Sequence, residues 1–189
     1  MKEIVILGGP NGAGKTTAAR KLLSRITPVQ EFLNADEFAR EICPEDVDSV
    51  ALAAGRMMRA CMRKLVAQEV SFGFESTLAG KSYARFLQQC KESGWRITLL
   101  YLWLPTAEDA IERVAQRVRE GGHGIPPETI RRRYRLGIAN FLNLYLDLAN
   151  EVEVYDNSQE GVRIAQKAEG GKIRVLDMER WAKLMESVR

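Results

Sequence analysis

Short apolar runs alternate along the chain with longer segments in which apolar residues recur every three to four positions. The first pattern is typical of buried strands and the second of amphipathic helices. Five strands are predicted, at Glu3–Leu7, Gln30–Asn34, Ser71–Glu75, Ile97–Leu104 and Val152–Asp156. Helices are predicted near residues 15–26, 45–69, 79–93, 106–120 and 127–150. This alternation indicates an α/β fold in which helices flank a parallel sheet.

Residues from about 160 to 189 follow a different pattern. Two segments flank the turn signal Gly170-Gly171 and predict a β-hairpin, at Val162–Lys167 and Lys172–Leu176, with a terminal helix from about Met178. The long helix before the hairpin carries one apolar stripe at helical spacing, made of Ile130, Tyr134, Ile138, Phe141, Tyr145 and Leu148. Because no repeat or linker divides the sequence, a single domain is expected over residues 1–189.

Composition adds limits to this picture. A chain of 189 residues with 46% hydrophobic content can bury the core of one domain. No apolar run approaches the roughly 20 residues that a membrane span needs, and residues 1–7 leave no room for a signal peptide, so a cytoplasmic protein without membrane contact is expected. Cys43, Cys61 and Cys90 are widely spaced and odd in number, which predicts reduced thiols. A net charge of +3 does not by itself indicate a nucleic-acid partner.

The Gly-rich run behind the first strand carries the strongest chemical signal, because Gly9–Thr16 fits the phosphate-binding pattern G-x-x-x-x-G-K-[ST] between a predicted strand and a predicted helix. Its backbone N–H groups are expected to surround nucleotide phosphates, with Lys15 at the β- and γ-phosphates and the Thr16 hydroxyl on Mg²⁺. The predicted nucleotide-binding residues are Gly9, Pro10, Asn11, Gly12, Ala13, Gly14, Lys15, Thr16 and Thr17. The alternative is a Gly-rich turn without a ligand.

A carboxylate follows the second predicted strand, at the sheet edge where parallel α/β proteins bind their ligands. Asp36 is suited to take a proton from a substrate hydroxyl that attacks the γ-phosphate, which makes it a candidate for both catalysis and substrate binding. Asn34 or Asp36 is equally suited to cap the helix that follows. Spacing alone leaves the two interpretations open.

Glu75 closes the apolar third strand, where an unpaired carboxylate is costly. This favours a role in holding a Mg²⁺-bound water or substrate hydroxyls, so Glu75 is predicted as a metal and substrate residue. Ser76 and Thr77 are closer to caps of the next helix, although Thr77 is also a candidate for substrate contact.

Seven arginines lie between residues 113 and 135. Arg113 and Arg117 share a helix face, and the same spacing recurs in the next helix. The segment Glu120–Pro127 between the two helices is Gly-rich at one end and Pro-rich at the other, which predicts a lid over about 113–135 that closes arginines onto phosphates. The only histidine, His123, is interpreted as a loop residue of this lid.

Surface ion pairs are the alternative explanation for these arginines, since Asp109 is placed to pair with Arg113 and Glu120 with Arg117. Two or three of the seven are expected to be catalytic. Arg113, Arg117 and Arg132 are the candidates.

Several segments together resemble the zeta-toxin-like P-loop kinases, including the bacterial branch often described as ABC-type ATPases. The resemblance covers residues 4 to about 180 and rests on Gly9–Thr17, Asn34–Glu37, Phe74–Leu78, Arg113–Val118, Gly121–His123, Ile130–Tyr134 and Val154–Ser158. It implies a nucleoside-monophosphate-kinase-like sheet with strand order 2-3-1-4-5. The Leu-Ser-Gly-Gly-Gln signature of ABC ATPases is absent from the sequence.

The resemblance also implies roles for particular residues. It implies that Lys15 and Thr16 hold Mg-ATP, that Asp36 activates a substrate hydroxyl, and that Arg113 and one arginine near 131–133 contact phosphates. By the same resemblance, Glu75 lies near a sugar substrate, the acceptor is a nucleotide sugar such as UDP-N-acetylglucosamine, and a small antitoxin protein is a partner.

Three functions are compatible with these residues. The main prediction is an ATP-dependent kinase that phosphorylates a hydroxyl of a small molecule. An ATPase switch with a protein partner is the second, and a kinase for nucleic-acid ends, suggested by the basic run Arg131–Arg135, is the third.

Overall fold

A computed structural model describes residues 2–19, 29, 31–47, 49–159 and 161–187. Within this part, seven strands form one sheet in the order β2-β3-β1-β4-β5-β6-β7. Their bounds are β1 Glu3–Gly8, β2 Glu31–Leu33, β3 Phe72–Ser76, β4 Arg96–Trp103, β5 Glu151–Asp156, β6 Val162–Lys167 and β7 Arg174–Val175. The first five strands are parallel and the last two are antiparallel. The implied order 2-3-1-4-5 is therefore confirmed, and the predicted hairpin extends the same sheet.

The helices follow the predicted alternation. Residues 15–19 are helical and form the described part of α1, and the rest of the predicted helix 15–26, like Gln30, lies outside the described residues. The other helices are α2 Ala35–Ile42, α3 Ala51–Ala67, α4 Ser82–Glu92, α5 Ala107–Arg119, α6 Pro127–Asn140 and α7 Met178–Glu186. α6 continues through a π-helical turn at Phe141–Tyr145 into Leu146–Leu148. None of these described helices is long and apolar enough to cross a membrane.

Two predicted helix starts were wrong. α3 begins at Ala51 rather than at 45, because Asp46 holds a turn by accepting from the Ser49 N–H at 3.2 Å and from the Ser49 hydroxyl at 2.8 Å. α4 begins at Ser82 without a side-chain cap, so Ser76 and Thr77 do not cap it. The Ser76 hydroxyl instead accepts from the N–H of Leu78, whose φ of 57° bends the chain away from the strand.

The apolar stripe of α6 and its π-helical extension forms part of the main core, as predicted. All six of its members are buried: Ile130, Tyr134, Ile138, Phe141, Tyr145 and Leu148. The Phe141 ring stacks on Tyr101 of β4 with 4.0 Å between ring centroids. The three cysteines are free thiols, with Cys90 buried and the other two partly buried, which agrees with the prediction.

α6 and its π-helical extension form hydrogen bonds to the loop between β3 and α4. The side-chain amide of Asn140 donates to the Leu78 carbonyl at 2.8 Å, and the Tyr145 hydroxyl donates to the Gly80 carbonyl at 3.2 Å. Gly137 lies so close that a Cβ there would meet the Thr77 carbonyl oxygen at 2.4 Å. The position of Thr77 is thus set by α6.

Replacing Gly137 with Ala is expected to lower the free energy of unfolding by about 1–3 kcal/mol, since the added methyl group overpacks this contact. Gly55→Ala is the matched control, because Gly55 is also helical and its Cβ would meet only the Arg59 guanidinium at 3.9 Å. That control is expected to gain about 0.5–1 kcal/mol from helix propensity. Urea titration of both variants measures the difference, and equal stability would contradict the close approach at Gly137.

Candidate functional site

The phosphate-binding loop (P-loop), Gly9–Thr16, follows β1 and turns sharply back over the end of the sheet. Gly9 has a φ of 144°, and a Cβ there would lie 2.2 Å from the Leu102 carbonyl oxygen, so no other residue fits. The Ala13 N–H donates to the Pro10 carbonyl at 3.2 Å, which closes the loop before α1 begins. Gly14 then takes a φ of 78° at the entry to the helix. The backbone conformation that the motif predicts is present.

Lys15 folds back over this loop. Its Nζ donates to the carbonyls of Gly9 at 2.9 Å and Pro10 at 2.8 Å. Burial lowers the pKa of Lys15 to about 8, although the carboxylates of Glu75 and Asp36 act in the opposite direction. The guanidiniums of Arg117 and Arg133 lower this pKa further.

The charges that act on the Lys15 ammonium come from four different elements, which meet at this end of the sheet. Asp36 lies on α2 and Glu75 on β3, whereas Arg117 lies on α5 and Arg133 on α6. Two carboxylates and two guanidiniums therefore surround one P-loop lysine.

Glu75 reaches the P-loop from the end of β3. Its Oε2 accepts from the Thr16 hydroxyl at 3.3 Å, and its Oε1 is buried without a hydrogen-bond partner among the described residues. Burial raises the pKa of Glu75, and this rise is opposed by the charge of Lys15 and the hydrogen bond from Thr16. Because a buried carboxylate oxygen without a partner is costly, this oxygen is poised for a cation or a hydroxyl group.

The donor set at Thr16 and Glu75 fits Mg²⁺, which prefers oxygen ligands. Within the described residues, no group of three His, Cys, Asp or Glu side chains is close enough to hold a metal by itself. Magnesium commonly takes one or two protein oxygens and completes its shell with phosphates and water. The predicted metal residues are therefore compatible with a metal that arrives with a nucleotide.

Asp36 does not cap α2, a role that the sequence had left open. Asn34 is the N-cap of α2, and its side-chain Oδ1 accepts from the Asp36 backbone N–H at 2.9 Å. The Asp36 carboxylate is exposed at the cavity and is not needed to begin the helix. Its negative charge acts on the Lys15 ammonium, which lines the same cavity.

The arginines of α5 are not held by the ion pairs that the sequence suggested. Asp109 forms a capping box with Thr106, and Glu120 accepts from the Gln116 side chain at 3.0 Å. Among the described residues, the alternative explanation by ion pairs therefore finds no support for Arg113 and Arg117.

Both arginines donate to backbone carbonyls instead. Arg113 Nη2 donates to Ser158 at 2.6 Å and Arg117 Nη2 to His123 at 2.7 Å. Arg117 Nε is buried without a hydrogen-bond partner among the described residues. The predicted lid segment is thereby tied to Arg117, since the Gly122 N–H also donates to the Arg117 carbonyl at 2.8 Å.

The basic run on α6 contributes a different arginine from the candidate Arg132, although the resemblance implied one near 131–133. Arg131 pairs with Glu108 at 3.0 Å and Glu128 at 2.7 Å, and Arg132 is exposed and does not line the cavity. Arg133 lines it. At about 100° per residue, Arg133 lies roughly 60° from buried Ile130 on the helix surface, whereas Arg132 lies roughly 160° from it. The helical period thus explains why Arg133, and not the candidate Arg132, lines the cavity.

One cavity of about 460 Å³ joins these groups. The predicted site residues that line it are Asn11, Gly12, Gly14, Lys15, Thr16, Thr17, Asp36, Glu75, Thr77, Arg113 and Arg117. Gly9, Pro10 and Ala13 are buried in the P-loop and do not line it. Lining residues that the sequence did not identify include Val47, Ala51, Tyr83, Ile125 and Arg133.

Comparison with known proteins places the chain in a family. A family model described as AAA domain matches residues 4–135, which is more than half of the chain. The chain belongs to the AAA domain family. An uncharacterized protein of Haemophilus influenzae is 30% identical to this AAA domain over 126 residues, which is 67% of the chain and 88% of the relative.

Solved structures share the fold of this AAA domain. AvrRxo1-ORF1:-ORF2 with ATP matches with a TM-score of 0.78 at 18% identity, over 97% of this chain and 63% of the matched one. The PezAT chromosomal toxin-antitoxin system of Streptococcus pneumoniae matches with a TM-score of 0.61 at 18% identity, over 86% and 71%. The present chain thus spans less than two thirds of the AvrRxo1 chain, and at these identities the likeness is one of fold.

Proposed function

We propose that this AAA domain is an ATP-dependent kinase that transfers the γ-phosphate to a hydroxyl group of a small molecule. The observation that carries the proposal is the Asp36 carboxylate, which faces the same cavity as the P-loop lysine and is not used as a helix cap. A nucleotide-binding switch needs no base opposite its phosphates. A kinase does, because the attacking hydroxyl must lose its proton.

The donor half of the proposed site is the P-loop. Backbone N–H groups and Lys15 would hold the ATP phosphates, and the Thr16 hydroxyl and Glu75 would hold Mg²⁺. When bound, the metal neutralises part of the phosphate charge. The AvrRxo1 structure with ATP, which shares this fold, supports ATP as the nucleotide.

The transfer step uses residues on both sides of the cavity. The acceptor oxygen forms a bond to the γ-phosphorus while the bond from that phosphorus to the β,γ-bridging oxygen breaks, and ADP leaves with the electron pair. The hydroxyl proton passes to the Asp36 carboxylate. Lys15, Arg117 and Arg133 would stabilise the charge on the transferred group, since both guanidiniums lie close enough to Lys15 to lower its pKa.

The acceptor half offers hydroxyl-binding groups beside Asp36. Glu75, Ser76 and Thr77 lie at the end of β3, and Tyr83 provides an aromatic face. A nucleotide sugar such as UDP-N-acetylglucosamine is the acceptor that the resemblance to zeta-toxin-like kinases suggests. An antitoxin partner is part of the same hypothesis, and the fold shared with the PezAT toxin-antitoxin system supports it.

The test is a panel of sugars, nucleosides and nucleotide sugars incubated with Mg-ATP, with phosphorylated products identified by mass spectrometry. A product that carries one added phosphate, formed together with ADP, supports the kinase. ADP release that no acceptor stimulates, with water as the only phosphate acceptor, favours an ATPase switch instead. An oligonucleotide with a free 5′ hydroxyl belongs in the panel, because its phosphorylation would favour the nucleic-acid kinase.

Binding of Mg-ATP at pH 8 is expected to take up about half a proton, because the phosphates raise the pKa of a lysine that is half-charged at this pH in the free protein. At pH 7 the uptake falls to about one tenth of a proton, because most of the lysine is already charged there. Because binding takes up protons, the affinity for Mg-ATP should decline as the pH rises above 8. Calorimetric titration in two buffers of different ionisation enthalpy measures the uptake, and equal values at pH 7 and pH 8 would contradict the lowered pKa of Lys15.

A further inference from the structure

A side chain of the turn that follows β5 contacts the backbone of the P-loop. The side-chain amide Nδ2 of Asn157 donates to the Ala13 carbonyl at 2.7 Å. The same Nδ2 would lie 3.0 Å from a Cβ at Gly14, so the amide packs directly against the last glycine of the loop. Asn157 lies outside the residues 4–135 that the family model matches. It is also outside the cavity wall, so it has no place in the transfer step described above.

This turn is itself fixed at several points. The Asn157 N–H donates to the Trp103 carbonyl of β4 at 2.9 Å, and the Ser158 N–H donates to Asp156 Oδ1 at 2.9 Å. The other carboxylate oxygen of Asp156 pairs with Arg180 Nε of α7 at 3.0 Å. Strand β4 and the C-terminal helix therefore hold Asn157 in place, and its bond to the P-loop comes from a rigid support.

The hydrogen bond to Ala13 determines where the next N–H group points. The Ala13 carbonyl and the Gly14 N–H belong to one peptide unit, and none of the described peptide bonds is cis. In a trans peptide the C=O and N–H bonds point in opposite directions. Because the carbonyl points to Asn157, the Gly14 N–H points away from Asn157, and Gly14 lines the cavity. P-loop N–H groups of this kind bind phosphate oxygens.

We propose that Asn157 is a positioning residue of the nucleotide site, which holds the Ala13 carbonyl so that the Gly14 N–H faces the phosphates. The role rests on the proposed function, because it requires a nucleotide at the P-loop. It extends the ATP site into the C-terminal part of the chain, through Asp156 and Arg180.

Asn157→Ala and Asn157→Asp test the role, with Gln159→Ala as the control because Gln159 is exposed two residues further along. Dissociation constants for Mg-ATP are measured by calorimetry, and melting temperatures are measured without nucleotide. Asn157→Ala is expected to weaken ATP binding about tenfold, the effect of one hydrogen bond to a charged group. Asn157→Asp should weaken it further, since the new carboxylate repels both the Ala13 carbonyl and the phosphates. Gln159→Ala should bind ATP like the original protein.

The possible results separate a positioning role from a merely structural one. Weaker ATP binding with a nucleotide-free melting temperature close to that of Gln159→Ala supports the proposal. Unchanged ATP affinity in Asn157→Ala overturns it, and so does a loss of affinity that only accompanies a large fall in melting temperature. If the unsubstituted protein itself binds no ATP, the proposed function fails together with this role, whereas normal ATP binding by Asn157→Ala removes this role alone.

Discussion

Replacing Asp36 with Asn is expected to slow phosphoryl transfer by about a hundred- to ten-thousand-fold, which is the usual contribution of a general base. The amide has the size of the carboxylate but does not accept the hydroxyl proton. ATP should bind as tightly as before or slightly more tightly, because the substitution removes a negative charge that acts on the same site as Lys15. Transfer is measured with the acceptor found in the panel, and ATP affinity by calorimetry.

Glu37→Gln is the matched control for this experiment. Glu37 lies next to Asp36 in the first turn of α2 but does not line the cavity. Its loss should leave transfer within about twofold of the original rate, as expected for an exposed surface residue. If the Asp36→Asn variant transferred phosphate at the original rate, the assignment of Asp36 as the base would be wrong. Equal losses in both variants would point to a general effect of charge on α2.

Replacing Arg133 with Ala is expected to lower the turnover number by about a hundred- to a thousand-fold, the range for removing one group that stabilises transition-state charge. The guanidinium lines the cavity and acts on Lys15, where phosphate charge would collect. Arg132→Ala is the control, since the neighbouring side chain is exposed and outside the cavity wall. Steady-state kinetics of the two variants should therefore differ by two orders of magnitude or more.

If Arg132→Ala lost more activity than Arg133→Ala, the catalytic role would pass from Arg133 to Arg132. A large loss in Arg132→Ala with normal turnover in Arg133→Ala would mean that α6 presents a different face to the nucleotide. Similar small effects in both variants would leave Arg113 and Arg117 as the arginines that stabilise the negative charge of the phosphates.

The fold and the P-loop were predictable because their signals are local. Each of the five parallel strands is a short apolar run, and both predicted ends of every strand agree with the observed ones to within one residue. The P-loop follows from nine consecutive residues, and its glycines are required by backbone angles such as the φ of 78° at Gly14. The strand order came from the resemblance to a known fold, since no local pattern determines which strands are neighbours.

The rest of the site depends on contacts between distant parts of the chain. Tyr83 and Arg133 line the cavity only because of where α4 and α6 pack relative to the sheet. Arg113 is held by a carbonyl 45 positions further along the chain, and no spacing rule predicts such a partner. The helix starts at 51 and 82 depend on turns whose hydrogen bonds become visible only in three dimensions.

The contact between α6 and the β3–α4 loop connects two parts of the cavity wall. α6 carries Arg133 toward the donor phosphates and, one turn later, presses Gly137 against the Thr77 carbonyl and binds the Leu78 carbonyl through Asn140. Because one closely packed helix carries both contacts, we expect a displacement at Arg133 to reach the backbone at Thr77 as well. In the proposed kinase, donor and acceptor would then bind cooperatively rather than independently.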